Sequence, residues 1–397
     1  MARQRQRLSF YLLFIPVTFF ALAVLLTWNS LGLICFAGFK VSPVAASISI
    51  LAIADDQLLL SANSSKTHKN PNFLHVSRKA YTSPNSSSAP SPRLLSFSAR
   101  ASAFFRSHPP CAARFHMNWI SKHQNFSQKE LLSIESIFKF HPQACLLILS
   151  SSMDSPAGAQ LLKPLTSLGF RIASITPDFG FLLNQTPAKR WFRRLQQGRL
   201  NPGEVPIAQN LSNLLRLAAL YKFGGIYLDT DVIVVKEFSA LRNVIGAQTA
   251  DFAGNWNRLN NAVLVFDKKH PLLYEFIKEF ALTFDGSKWG NNGPYLVSRV
   301  VERVKGRRRF EFSVAPPPAF YPVSWTKIEG FFKRPEDRMH EKWVEAKLEN
   351  IRRESFAVHL WNRWSRDMAV EEGSLIARIF ASCCVLCNSS SSNQLSK

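Results

Sequence analysis

The sequence predicts an α/β domain built on a single, mostly parallel sheet flanked by helices, and three observations carry that reading. Helical apolar spacing and short apolar strand-like runs alternate across residues 110–387. Helix boundaries are written in the chain by a capping box and a Gly-Gly pair. The stretch Tyr221-Lys222-Phe223-Gly224-Gly225-Ile226-Tyr227-Leu228-Asp229-Thr230-Asp231 runs from helix end to turn to strand to two carboxylates. Such sheets bind ligands beyond the carboxyl ends of their strands.

In chain order, Arg114–Ile120 reads as a first strand. Ser127 to Phe140 has helical spacing, with Leu131, Ile134, Ile137 and Phe138 on one face and Ser127 with Glu130 as the capping box. Cys145–Leu149 is a buried strand. Leu211, Leu214, Leu215 and Ala218 line the next helix, which Gly224-Gly225 ends, and Ile226–Leu228 follows as a strand. Ala262–Phe266 reads as a strand and Pro271–Phe284 as a helix.

The N-terminus points to a membrane. Arg3, Arg5 and Arg7 precede an apolar run, Leu8 to Phe39, with no charged residue until Lys40. About 20 apolar residues span a bilayer, whereas a signal peptide's apolar core is about 7–15. The basic flank stays cytoplasmic. The expected layout is a cytoplasmic tail (1–8), an uncleaved anchor (9–39), a flexible Ser/Pro-rich stem (40–109), the folded domain (110–387) and a disordered tail (388–397). That makes a single-pass type II protein with its domain in a lumen.

The chain has 397 residues, 46% of them hydrophobic, enough for a real core. Its 49 Lys+Arg against 27 Asp+Glu give +22, which suits an anionic partner. No RNP-like, zinc-finger or helix-turn-helix signature accompanies the charge, so nucleic acid is excluded as partner. Arg307-Arg308-Arg309 reads as a solvated run. Of the six cysteines, Cys35 falls in the anchor, which leaves five for a lumenal domain and so one unpaired. Cys384-Val385-Leu386-Cys387 lacks the second half of a zinc site and reads as a disulfide or two inert thiols. Sequons at Asn63, Asn85, Asn125, Asn184, Asn210 and Asn388 agree with a secretory route.

In an extended chain residues i and i+2 face the same way, so Asp229 and Asp231 converge on one object. Hard divalent cations take carboxylate and phosphate oxygens together, which makes a cation holding a diphosphate the natural occupant. A glycosidase would instead need two carboxylates flanking a scissile bond.

Here the chain resembles the α-1,4-glycosyltransferase family, within the sugar transferases that carry an Asp-x-Asp motif, and is most similar to its plant branch. The likeness runs from about Cys111 to Arg366. It rests on the stretch around Asp229 and on Glu130–Ser136, Trp289–Pro294, Phe320–Trp325 and Ala357–Asn362, all in order. The resemblance implies a GT-A fold, a UDP-sugar donor (galactose first), a glycan or glycolipid acceptor, retention of configuration and a Golgi location. It also implies Mn²⁺ (or Mg²⁺) held by Asp229 and Asp231, the latter more directly, with His359 as a late third ligand. Donor contacts are implied for Arg216, Asn213, Tyr227, Asn260, Asn292 and Gly293. For Trp119, stacking on a uracil ring and ordinary core packing both stand. Asn213 departs from the aspartate common in relatives, which bears on the sugar. No carboxylate stands out as a nucleophile, leaving front-face and double-displacement routes open. Alternatives are a GDP-mannose-dependent mannosyltransferase of the same fold, or an inactive lumenal scaffold.

Overall fold

The computed structural model describes residues 95–388, all within the unit Pro71–Lys397. The expected cytoplasmic tail, the anchor and most of the stem lie outside the described residues, as do Cys35, the sequons at Asn63 and Asn85, and residues 389–397. Among the described residues no helix is long and apolar enough to cross a membrane.

Nine strands are present among them: β1 (Arg114–Asn118), β2 (Cys145–Leu149), β3 (Arg171–Ile175), β4 (Gly225–Leu228), β5 (Val232–Val234), β6 (Val244–Ala250), β7 (Trp256–Phe266), β8 (Ser313–Ala315) and β9 (Ala357–His359). The principal helices are α1 (Phe97–Arg106), α2 (Gln128–Phe140), α3 (Pro156–Thr166), α4 (Ile207–Phe223), α5 (Pro271–Thr283), α6 (Pro294–Val304), α7 (Arg338–Glu354), α8 (Asn362–Ser365) and α9 (Leu375–Cys383). The large sheet has the order β3-β2-β1-β4-β7-β6-β8. Its β3-β2-β1-β4 half is parallel, as is β6-β8, while β7 runs against both β4 and β6. The mostly parallel sheet flanked by helices is therefore present.

The expectation of a single sheet is corrected. β5 and β9 form a second, two-stranded antiparallel sheet, with Val232 opposite His359. Three-residue strands paired across most of the domain leave no local periodicity to read. The expected stem boundary is corrected too. Ser96 caps α1 by accepting from the Ala99 amide, and Phe97, Ala101 and Phe105 are buried in the core. Folded structure thus begins within residues assigned to the stem. One apolar face on a single ten-residue helix is a weak signal amid Ser/Pro-rich sequence.

The sheet separates two cores. On one face Leu147, Leu149, Tyr227, Leu264 and Phe266 pack with α4, α5 and α6. On the other Phe115, Met117, Leu146, Ile148, Ile226 and Leu228 pack with Ile134, Ile137 and Phe138 of α2 and with α3. The small sheet has its own core, Ile233 and Val358 with α7 and α9. Cys111 is bonded to Cys145 and Cys384 to Cys387, leaving Cys383 buried as a free thiol. The sequon at Asn210 is buried and its side chain accepts from Asn292 Nδ2, so it offers no glycan a place.

Candidate active site

β4 lies between β1 and β7. From β1 the chain moves outward to β2 and β3, then returns to β4 on β1's other side. The carboxyl ends of β1 and β4 thus flank a topological switch point, where such sheets open a crevice. Ile226 and Leu228 face one core while Tyr227 faces the other. Strand alternation puts Asp229 on the side of Tyr227, beneath α4. The turn before β4 needs glycine. Gly225 has φ +111°, and a Cβ there would lie 2.3 Å from the Arg114 carbonyl oxygen. His116 Nε2 donates to the Gly224 carbonyl at 2.9 Å, and burial pushes this imidazole down to about 4, so it is neutral.

Arg216 of α4 reaches Asp229 as a fork. Nη2 lies 3.0 Å from Oδ1, and Nη1 donates to Oδ2 at 3.1 Å. Nη1 also donates to the Asn261 carbonyl at 2.8 Å, and the guanidinium stacks 4.7 Å from the Tyr227 ring. The Tyr227 hydroxyl donates to Asp229 Oδ1 at 2.7 Å. Burial and the neighbouring Asp231 raise the Asp229 carboxyl above its ordinary range, against the pull of Arg216 and the Tyr227 hydroxyl. Burial opposes the charge on Arg216, but Asp229, Tyr227 and Asp231 outweigh it and hold the arginine charged.

Asp231 is positioned differently. The β5–β9 ladder brings His359 beside it, with Nε2 3.3 Å from Oδ1. The Asn362 amide donates to Oδ2 at 2.8 Å, and the Leu360 amide donates to the Asp231 carbonyl. Against the burial that would raise it, His359 and this amide pull the Asp231 carboxyl down to about 2. The turn that aims the Asn362 amide places Trp361 at φ 58°. A left-handed backbone at a bulky residue is costly, a strain that collects at functional sites. Trp361 is held there by its Nε1 bond to the Val323 carbonyl and by its ring, 4.2 Å from that of His359.

Behind this turn stands α2. Ser133 Oγ donates to the Val232 carbonyl, Ser136 Oγ accepts from the Val234 amide, and Glu130 Oε1 accepts from Asn362 Nδ2 at 3.2 Å. Glu130 thus closes the capping box and steadies the Asp231 turn at once. Sequence reasoning assigned no site role to Glu130, Ser133, Ser136 or Asn362. The available signal was polar residues at spacing three along the buried side of a helix.

One ligand atom from each of Asp229, Asp231 and His359 lies within 4.8 Å of the others. Two carboxylates and an imidazole form a donor set suited to Mn²⁺ or Mg²⁺. His359 Nδ1 is buried without a hydrogen-bond partner, as is Asn362 Oδ1. The residues therefore fit a divalent cation.

The other expected donor contacts divide. Arg216 and Tyr227 both bond Asp229, and Arg216 also donates to the Asn261 and Ser212 carbonyls. Asn213 Oδ1 accepts from Asn261 Nδ2 at 3.0 Å, and Gly293 packs so closely that a Cβ there would lie 2.9 Å from Asn213 Oδ1. These two residues meet beside Arg216. Asn292 turns inward: Nδ2 donates to Asn210 Oδ1 and the Asp285 carbonyl, and Oδ1 accepts from the Asp285 amide. It clamps a loop to α4. Asn260 bonds Gln248 through Nδ2 and the Ala262 amide through Oδ1, serving the irregular β6–β7 pairing. Trp119 is buried edge-on against Phe126, and its Nε1 donates to the Lys122 carbonyl, which matches core packing.

Two described sequence regions match this chain. "Glycosyltransferase sugar-binding region containing DXD motif" covers residues 127–251, which include Asp229 and Asp231. "Alpha 1,4-glycosyltransferase conserved region" covers residues 265–391, which include His359. Human lactosylceramide 4-alpha-galactosyltransferase is 32% identical over 294 residues, covering 70% of this chain and 77% of that one. The chain belongs to the alpha 1,4-glycosyltransferase family. As a member it is a glycosyltransferase. An uncharacterized Arabidopsis thaliana protein is 32% identical over 303 residues, and the chain spans 45% of that protein's length. Human alpha-1,4-N-acetylglucosaminyltransferase is 27% identical over 257 residues, covering 61% of this glycosyltransferase and 69% of the relative. Among solved structures, PaToxG glycosyltransferase superposes with a TM-score of 0.37 at 18% identity, over 72% of this chain and 90% of that one.

Proposed function

We propose that this glycosyltransferase moves a hexose, galactose first, from a UDP-sugar to a hydroxyl of a glycan or glycolipid with retention of configuration. The observation that carries the reading is the convergence of Asp229, Asp231 and His359 at the carboxyl end of β4. Asp231 and His359 would hold the cation most directly, with Asp229 completing the set. What a bound Mn²⁺ supplies there is neutralisation of the charge that builds on a departing diphosphate.

The chain's own residues supply the rest. The Arg216 fork and the Tyr227 hydroxyl fix Asp229 in one orientation, so no reorganisation is needed as charge develops. The Asn362 amide does the same for Asp231 and keeps it ionised. Asn213 and Gly293 border Arg216 and are assigned to the donor sugar, for which Asn offers both a donor and an acceptor. Galactose is favoured because the lactosylceramide galactosyltransferases are similar over most of their length. A Golgi location, a type II anchor over 9–39 and a GT-A fold complete the proposal. The disulfides Cys111–Cys145 and Cys384–Cys387 support an oxidising lumen.

The test is a donor screen of the full chain in detergent, with UDP-galactose, UDP-glucose, UDP-N-acetylglucosamine and GDP-mannose, each with Mn²⁺ and with EDTA. Turnover of UDP-galactose that EDTA abolishes is expected. Preference for GDP-mannose would replace the donor. No metal-dependent turnover and no metal-dependent UDP binding would leave a scaffold.

A further inference from the structure

Two exposed tryptophans, Trp289 and Trp364, meet one arginine, and a third, Trp325, stacks on Trp364. Trp289 and Trp364 are 50% exposed and Trp325 is 40% exposed. Trp325 and Trp364 stack at 5.3 Å with 22° between their planes. The Arg363 guanidinium lies 3.9 Å from the Trp289 ring and 5.5 Å from the Trp364 ring. The side chains therefore form a row, Trp289, Arg363, Trp364, Trp325, drawn from three separate stretches of chain. Single exposed aromatics are ordinary, but a contiguous patch marks a binding surface.

The row is joined to the site through two stretches of chain. α8 begins at Asn362, whose amide bonds Asp231, so Arg363 and Trp364 follow directly on a group that holds the motif. Trp289 lies in the loop that ends at Gly293, against Asn213. The surface is also built to stay put. Lys129 Nζ donates to the carbonyls of Ser365, Arg366 and Met368 at 3.0, 2.8 and 2.7 Å. Ser365 Oγ donates to the Leu360 carbonyl at 2.6 Å. A row of indoles fixed beside a reaction site, with a guanidinium among them, has the chemistry for a saccharide. One face of a pyranose presents C–H bonds and stacks on an aromatic ring. Its hydroxyls accept hydrogen bonds from arginine N–H groups.

We propose that Trp325, Trp364, Arg363 and Trp289 form the acceptor subsite of this enzyme and bind a saccharide through the apolar face of a pyranose. The inference rests on the glycosyltransferase reading of the Asp231 site and adds where the acceptor sits and what holds it. The full chain in detergent is assayed with its preferred nucleotide sugar against a panel of soluble galactosides, glucosides and mannosides. Trp325→Ala and Trp364→Ala each raise KM for the best acceptor by about tenfold, the scale of one lost aromatic contact. UDP binding and hydrolysis of the donor in water stay at the wild-type level, and Trp325→Phe and Trp364→Phe keep most of the acceptor affinity. An unchanged acceptor KM in the double Ala variant overturns the proposal, as does a panel from which no saccharide is bound or modified. It also falls if the Ala variants lose only sedimentation with phosphatidylcholine vesicles, which would make the patch a bilayer contact. Failure of the underlying reading is separate, because it appears as a wild-type chain that neither binds UDP with metal nor hydrolyses any donor.

Discussion

Arg216 holds Asp229 with two nitrogens, Nη2 at 3.0 Å from Oδ1 and Nη1 at 3.1 Å from Oδ2, and that arginine is itself buried. The pair stand thirteen positions apart across the end of α4, the Gly224-Gly225 turn and β4, so that turn sets their meeting. The resemblance implied a donor contact for Arg216, but its hydrogen bonds go to Asp229, the Asn261 carbonyl and the Ser212 carbonyl. Lysine would keep the charge and lose the fork. Arg216→Lys is expected to lower kcat by about 10²-fold, the scale of one lost preorganised contact. Arg216→Ala removes the ion pair of the part-exposed Asp229 carboxylate, which keeps its Tyr227 hydroxyl bond, and lowers stability as well as turnover. Turnover and thermal melting of the two variants check this; a Lys variant of full activity would show that the fork does not matter.

Asp231 gives the sharper loss. Its two oxygens already face His359 Nε2 and the Asn362 amide, both donor-capable. Asp231→Asn removes the charge and presents an amide NH₂ to one of them. Mn²⁺-dependent UDP binding, measured by calorimetry, is expected to weaken by about 10²-fold or more. Ser136→Ala, which removes the acceptor for the Val234 amide and the donor to the Ser133 carbonyl but no group of the motif, should weaken binding far less while lowering the melting temperature. Equal affinity in Asp231→Asn and wild type would remove the aspartate from the metal site.

The strand beneath the Gly-Gly turn sets an acid limit on the fold. Buried His116 is pushed down to about 4, from an ordinary value of 6.5. Between those values the unfolded chain binds a proton that the folded chain refuses, so stability rises with pH across that window and is lost as pH falls through it. The difference amounts to about 3 kcal/mol. His116→Gln can still donate to the Gly224 carbonyl but does not titrate. It is expected to flatten the acid limb of a stability–pH profile between pH 6.5 and 4, measured by urea unfolding. An unchanged profile would place the proton uptake elsewhere.

What could be read ahead of the structure had local signals. The capping box at Ser127 and Glu130, the buried strand at Cys145–Leu149 and the helix ended by Gly224 each sit within one stretch of chain, and each is present. Asp229, Asp231 and His359 do come together. The reading failed where partners are distant or roles are shared. β5 and β9 are too short to announce their pairing. Asn292 and Asn260, both expected at the donor, bond neighbouring chain through their amides, partners that lie far off in sequence or across a ladder. Asn362 was invisible because its backbone, not its side chain, holds Asp231. No residue type encodes an amide's direction.

Asn213 is where donor choice is expected to move. Its Oδ1 accepts from Asn261 Nδ2 at 3.0 Å, a bond that a carboxylate can keep. Arg216 stands three residues on along the same helix, so a new charge at 213 has a cation beside it. Asn213→Asp restores the residue type expected from relatives and should fold with a loss of no more than about 1 kcal/mol. It is expected to change the ratio of kcat/KM between UDP-galactose and UDP-glucose by about tenfold, because a buried hydrogen-bonding group discriminates hydroxyls. Gly293→Ala supplies the contrast. Its Cβ would lie 2.9 Å from Asn213 Oδ1, pushing the side chain aside without adding charge. That variant should lower turnover with both donors alike. If Asn213→Asp also slowed both donors equally, its side chain would be a support for α4 and not a reader of the sugar.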